Sequence, residues 1–192
     1  MIAYVINLDH RKDKWVESMQ ELAPHFNLER VSAIKHEWGW LGLWQTFKKI
    51  FQECESNVLI FEDDATYRGN YSDLINCIND LPTEWDMLML GANIKDMRLD
   101  RISKRLVRTY GSWTTHGILY SYRFAKEMAE LDLDIPIDEY FRTIVHPKGN
   151  SYICAPFLSF QRPSESDIEG GYKNYTSLFE ESEAKAFHFI YQ

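Results

Sequence analysis

Asn57-Val58-Leu59-Ile60-Phe61-Glu62-Asp63-Asp64 is the stretch whose reading decides the fold. Its first five residues form a short, apolar, β-branched run, the pattern of a strand buried on both faces. Three carboxylates follow without a spacer. Directly after a buried strand they stand at the carboxyl edge of a sheet, where open α/β sheets bind ligands. Adjacent carboxylates repel, so the cluster costs stability unless a cation or hydrogen-bond donors compensate. Hard divalent ions such as Mg²⁺ and Mn²⁺ prefer carboxylate and phosphate oxygens. A solvated acidic turn is the plain alternative.

Working outward, strands and helices alternate. Residues 2–8 are an apolar run ending in Asn7-Leu8-Asp9, a buried first strand stopping at a loop. His10 to His25 has helical periodicity with Trp15, Met19 and Leu22 on one face, closed by Pro24. Leu28 to Ile34 reads as a strand, and Gly39 to Cys54 as a helix with Leu43, Phe47, Ile50 and Phe51 inward. Tyr71 to Leu81 is a third helix stopped by Pro82, and Trp85 to Leu90 a buried strand closed by Gly91. This alternation implies a mostly parallel sheet with helices on both faces.

Beyond Gly91 the spacing predicts a charged loop or short helix over 94–104 and strands at 106–110 and 117–121. It predicts helices at 124–131 and 136–145, one last strand over 151–160, and a polar tail with a terminal helix near Leu178. Pro136 suits a first helical turn. No repeat or linker divides the chain, so residues 1–192 read as one domain.

Composition narrows the partners. The chain has 192 residues and is 45% hydrophobic, enough for a compact core. Its formal charge of −8 disfavours a nucleic-acid backbone, which selects basic faces. The same charge sets a problem for an anionic diphosphate ligand, and a divalent cation between carboxylates and phosphates would solve it. The three cysteines, Cys54, Cys77 and Cys154, are widely spaced with no C-x-x-C, which suits reduced buried thiols in a cytoplasmic protein. The N-terminus lacks a basic leader region, and no stretch reaches membrane-span length.

The loop Asn7-Leu8-Asp9-His10-Arg11-Lys12-Asp13 ends the first strand and can contact a nucleotide, with Arg11 able to grip phosphate in a two-pronged bond. Taken together, the motifs resemble glycosyltransferase family 25, the lipooligosaccharide-type and collagen-type sugar transferases. Val5 to Trp15 is similar to its V-I-N-L opening, and Leu59 to Ala65 to its L-x-x-E-D-D-x element. Trp85 to Gly91 looks like its W-D-hydrophobic-L-G strand, and Ile135-Pro136-Ile137-Asp138 like its late P-x-D. Ala155-Pro156 through Gln161, then Ser166-Asp167-Ile168, is similar to its closing P…Q…S-D-I. The matches run in order from residue 4 to about residue 171.

The resemblance implies a GT-A fold, a nucleotide-sugar donor, usually Mn²⁺ or Mg²⁺, and inversion at the transferred sugar. UDP-galactose and UDP-glucose are the donors it implies, and the acceptor a glycan, a lipid-linked saccharide of the lipopolysaccharide kind or a hydroxylated protein side chain. On this reading Asp64 ligates the metal and Asp63 ligates or supports it, or meets the ribose. Asn7, Leu8, Arg11, Glu62 and Asp63 are the donor-side residues. Asp138 is the candidate general base, or else a charge capping its helix. Gln161, Ser166 and Asp167 line the acceptor side or form ordinary turns. His188 is a candidate late metal ligand and His116 a candidate pocket contact.

One departure stands out. The family commonly carries a Ser-His pair at the start of its second helix, where this chain has Gly42-Leu43 among Trp38, Trp40 and Trp44. Those indoles either stack on a sugar or fill the core, and Trp44 reads as core. Two other functions compete with the transferase. One is a non-catalytic sugar- or protein-binding module on the same scaffold. The other is a haloacid-dehalogenase-like phosphatase, since residues 62–66 spell E-x-D-x-T, although Glu62 stands where that chemistry needs an aspartate nucleophile.

Overall fold

The computed structural model describes residues 1–94, 98–168 and 170–191. The first half runs β1 (Ile2–Asn7), α1 (Lys12–Leu22), β2 (Asn27–Ser32), α2 (Gly39–Glu53), β3 (Val58–Glu62), β4 (Ala65–Tyr67), α3 (Tyr71–Asn79) and β5 (Met87–Met89). The second runs β6 (Leu99–Arg101), β7 (Leu106–Thr109), β8 (Gly117–Tyr120), α4 (Tyr122–Ala129), α5 (Ile137–Tyr140), β9 (Ser151–Cys154), β10 (Ser159–Gln161), β11 (Ser164–Glu165), β12 (Tyr172–Lys173) and α6 (Thr176–Tyr191). α5 passes into a π-helical turn, Phe141–Val145, and a 3-10 turn, His146–Lys148.

Eight strands form the main sheet in the order β2-β1-β3-β8-β5-β9-β7-β6. β1 is parallel to β2 and β3, and β5 to β9. β8 is antiparallel to β3 and β5, and β7 to β9 and β6. Only β8 and β7 therefore oppose the common direction, so the sheet is mostly parallel, as the sequence implied. Alternate residues of each strand point to opposite faces. Val58 and Ile60 join a core with Phe47 and Phe51 of α2, Phe124 of α4 and Phe179 of α6. Leu59 and Phe61 join a second core with Leu22 of α1, Phe26 and Leu74 of α3. Helices on both faces explain why β3 reads as a continuous apolar run. Trp44 is 2% exposed, a core residue.

Three expectations need correction. Part of the 94–104 segment is strand β6, paired with β7 at the sheet edge; residues 95–97 lie outside the described residues. The single strand expected over 151–160 is two, β9 and β10, separated around Pro156, which has no N–H for a ladder. β10 leaves the main sheet and pairs antiparallel with β4, setting Gln161 opposite Ala65. The third correction concerns α1, which buries Lys14, Ser18 and Leu22, while Met19 is exposed. Its inward face is polar because it meets the acidic turn: the Ser18 hydroxyl donates to the Asp63 carbonyl at 2.9 Å, and Lys14 Nζ lies 3.4 Å from Asp63 Oδ1.

A glycine at position 42 has a steric cause. A Cβ there would stand 2.2 Å from the Ile34 carbonyl oxygen. The Ile34 N–H donates to Thr46 Oγ1 at 2.8 Å, and that hydroxyl donates to the Gly42 carbonyl at 2.7 Å. The loop after β2 is thus pinned on the first turns of α2, and a serine at 42 has no room. Among the described residues no helix is long and apolar enough to cross a membrane. The three cysteines are buried free thiols.

Two stability measurements check this account. In Gly42→Ala the helix gains about 1 kcal/mol in propensity, but the backbone must move to relieve the contact, at about 1–3 kcal/mol. Calorimetry is expected to show a lower melting temperature, and an unchanged or higher one would contradict the pinned loop. Lys14→Met leaves the Asp63 charge without its ammonium and is expected to cost about 3–5 kcal/mol, read as a lower urea midpoint at unchanged slope.

Candidate functional site

The register of the parallel strands builds the site. Ile6 of β1 lies beside Glu62 of β3, so Asn7 arrives next to Asp63 at the carboxyl edge. Asn7 is buried and works as a junction. Its Nδ2 donates to Asp63 Oδ2 at 2.8 Å and to the Arg11 carbonyl at 2.9 Å, while its Oδ1 accepts from Arg30 Nε at 2.9 Å. Both oxygens of Asp63 are therefore engaged, one by Asn7 and one by Lys14.

Arg162 fixes the turn from the other side. Its backbone N–H donates to the Asp64 carbonyl at 2.9 Å, its guanidinium donates to the Asp63 carbonyl, and it pairs with Glu17 at 2.9 Å. The β4–β10 ribbon delivers it, along with Gln161. Asp64 Oδ2 accepts from Gln161 Nε2 and Ser164 Oγ, each at 3.3 Å. Asp64 Oδ1 is buried with no hydrogen-bond partner. Burial pushes the Asp64 carboxyl up, against the pull of the Lys14 ammonium. Glu62 Oε1 accepts from Thr115 Oγ1. Burial first, then the Asp64 charge, lifts the Glu62 carboxyl to about 8 despite that hydrogen bond.

Thr115 follows a strained link. Thr114 has φ of 87°, in the left-handed region that a β-branched residue rarely occupies. Such strain collects at functional sites, where the surrounding structure holds it. On one side of it Thr115 reaches Glu62. On the other, Trp113 Nε1 donates to Glu139 Oε1 at 2.7 Å, and Arg142 lies 4.5 Å over the indole while bonding Glu139 Oε2.

These elements surround a cleft of about 640 Å³. Leu8, Glu62, Asp63, Asp64, Asp138, Gln161, Ser166 and Asp167 all line it. Asp138 lies in the first turn of α5, its Oδ1 accepting the Glu139 N–H at 2.9 Å. Its charge adds to those raising Glu62, so the two acids share one field. Ser166 Oγ accepts the Ile168 N–H at 3.3 Å, the turn geometry that was the plain alternative for that residue.

Four other candidates lie outside the lining: Asn7, expected on the donor side, is the buried junction behind the turn, and Arg11, His188 and His116 are the others. Arg11 does not face the cleft: its guanidinium bonds Asp167 at 2.5 Å and Asp13 at 3.3 Å, tying the loop after β1 to the tip of the β11–β12 hairpin. His188 is exposed on α6, its ring edge-on to Phe189, and α6 does not bring it to the acidic turn. His116 is fully buried behind the wall, edge-on to Phe179, and burial lowers it to about 4, so it is neutral.

Sequence reasoning missed Lys14, Thr115 and Arg162. Lys14 left one signal, its four-residue spacing from Ser18 and eight from Leu22, hidden by the apolar alternative on the same helix. Thr115 and Arg162 left none, because their roles depend on strand pairings across distant parts of the chain.

No family model matches the sequence, and neither does any curated protein. Among solved structures, A197 from STIV is similar over 89% of this chain and 91% of its own, at 10% identity and a TM-score of 0.54. A protein described as a glucose-1-phosphate thymidylyltransferase from Bacillus anthracis, solved with a sucrose, covers 96% of this chain and 75% of its own, at 12% identity and a TM-score of 0.46. The first likeness is one of fold, an α/β sheet shared without shared sequence, and the second is too loose to carry an argument.

Proposed function

We propose that this chain is a metal-dependent glycosyltransferase of the family 25 kind. It would move a hexose from a nucleotide sugar, UDP-linked by resemblance, to a hydroxyl of a glycan or protein acceptor. The observation that carries the proposal is the acidic turn at the carboxyl edge of β3, where Asp64 lines the cleft with one buried oxygen left unpartnered.

Mn²⁺ or Mg²⁺ suits that oxygen. Among the described residues no three His, Cys, Asp or Glu side chains group to cage a metal unaided. Mg²⁺ is often held by one or two carboxylates, with substrate phosphates and water completing its shell. A cation arriving with a diphosphate therefore fits Asp64, with Glu62 beside it. Once bound, it would neutralise charge on the departing nucleoside diphosphate.

The chain's own residues do the rest. Asp63, held by Lys14 and Asn7, positions the turn rather than binding the ligand. Lys35, exposed in the cleft wall and ion-paired with no described acid, is the cation best placed for a phosphate, the task expected of Arg11. Asp138 takes the acceptor's hydroxyl proton as its oxygen bonds the anomeric carbon and the sugar–phosphate bond breaks. This is a single displacement with inversion. The phosphatase alternative gains no support, because Glu62 is bonded to Thr115 and is not an aspartate nucleophile.

Calorimetric titration with UDP and Mn²⁺, beside an assay of UDP released from UDP-hexoses, tests the assignment. Asp64→Asn is expected to lose metal-dependent UDP binding. Asp138→Asn is expected to keep it while turnover falls about 10²–10⁴-fold. Wild-type protein that binds no donor with either metal would sink the proposal.

A pH series tests the acidic turn. Glu62 is raised from an ordinary 4.5 to about 8, so the folded state holds a proton that the unfolded chain releases. That contribution is complete below the ordinary value and lost as pH rises through 8. In EDTA the melting temperature is expected to fall from pH 5 to pH 9, more steeply than in Glu62→Gln. Equal slopes in the two proteins would contradict the shift.

A further inference from the structure

Trp38 is 58% exposed, an unusual fate for an indole in a chain with a full core. It stacks on Trp40 with ring planes 5° apart and centroids 6.3 Å apart. At that separation parallel rings are offset, so the pair makes a stepped ledge. Trp40 lines the cleft and Trp38 stands just outside it. Both flank Gly39 at the start of α2, where a Cβ would lie 3.0 Å from Ile168 Cα and 3.1 Å from the Asp167 carbonyl. The hairpin tip therefore abuts the ledge from one side. On the other, His36 Nδ1 accepts the Trp38 N–H at 3.0 Å, which leaves Nε2 as the ring nitrogen that can donate.

We propose that the Trp38–Trp40 ledge is the acceptor subsite and binds a neutral pyranose. The proposal rests on the transferase reading. A pyranose has one face of C–H groups and a rim of hydroxyls. The C–H face loses water against the indoles, and the rim finds polar groups such as His36 Nε2 and the cleft acids. Local charge fits the class: Lys35 and Glu37 flank the ledge with opposite signs, and the cleft beyond is lined by acids and bases together, Glu62, Asp64 and Asp138 beside Lys14 and Arg162, so the rings stand in no one-signed field that would select an ionised sugar. Trp40 and Asp138 line the same cleft, so a sugar seated on the ledge has a route for a hydroxyl inward.

An array of immobilised oligosaccharides, neutral and acidic, probed with labelled wild type, Trp38→Ala, Trp38→Phe and Trp40→Ala, tests the proposal. UDP and Mn²⁺ are titrated into the same proteins. Wild type is expected to bind glycans ending in a neutral pyranose. The alanine variants are expected to lose about tenfold or more in glycan affinity, with UDP affinity within about twofold, and Trp38→Phe to recover part of the loss. Trp38 is exposed, so its removal leaves the fold intact, and the melting temperature checks this. The proposal is overturned if wild type binds no glycan, if binding survives both alanine substitutions, or if UDP binding is lost instead, which would make the ledge a nucleobase platform. A wild type that binds glycans through the ledge but no UDP removes the transferase reading and leaves the subsite. The reverse result removes the subsite and leaves the transferase.

Discussion

Everything at the working edge of this molecule depends on how the charge of Asp63 is held. Two unit charges of one sign at 4 Å repel by about 4 kcal/mol even at an effective dielectric of 20, and β3 ends in three acids. Lys14 reaches Asp63 from α1 and Asn7 from β1, so the middle acid is the one neutralised in place. Its neighbours receive hydroxyl and amide donors instead, from Thr115, Gln161 and Ser164. Those donors soften the burial of Glu62 and Asp64 but do not cancel it, and both carboxyls are displaced toward their neutral forms. The turn is thus locked in shape at its centre and left short of positive charge on its flanks.

That division separates two jobs that a bare sequence motif merges. Asp63 holds the backbone still, through its side chain and through a carbonyl that accepts from Ser18 and Arg162. Asp64 keeps an oxygen uncommitted. Preorganisation of this kind matters wherever charge develops, because a group fixed beforehand needs no reorganisation at that moment. The strained Thr114 belongs to the same scheme, since it lets neighbouring residues face opposite walls: Trp113 toward Glu139 and Thr115 toward Glu62.

Much of the architecture was legible because local patterns settle it. The apolar run at 58–61 could only be a doubly covered strand, and α2 and α3 declared themselves by periodicity and by residues that stop them. Less legible were elements whose partners are remote. β4 has three residues and exists because β10 pairs with it, and β8 runs backward between β3 and β5, which no residue of β8 announces. The acidic turn was visible, as were Gln161, Ser166, Asp167 and Asp138 as residues of one cleft. The misreadings came from electrostatics overriding pattern. α1 hides a lysine where an apolar residue was expected, because it faces acids, and Arg11 pairs with Asp167 of the hairpin tip.

The β4–β10 ribbon has a bearing on how the molecule comes into being. Gln161 and Asp64 stand 97 residues apart in the chain. As synthesis proceeds from the N-terminus, the acids of β3 emerge long before Gln161, Arg162 and Ser164 exist to meet them. Contacts of such separation also require a long loop to close before they form. The nascent molecule therefore passes through a stage with its sheet begun and its charge cluster only half answered. The complete acidic turn therefore exists only in a molecule whose distant segments are already in register.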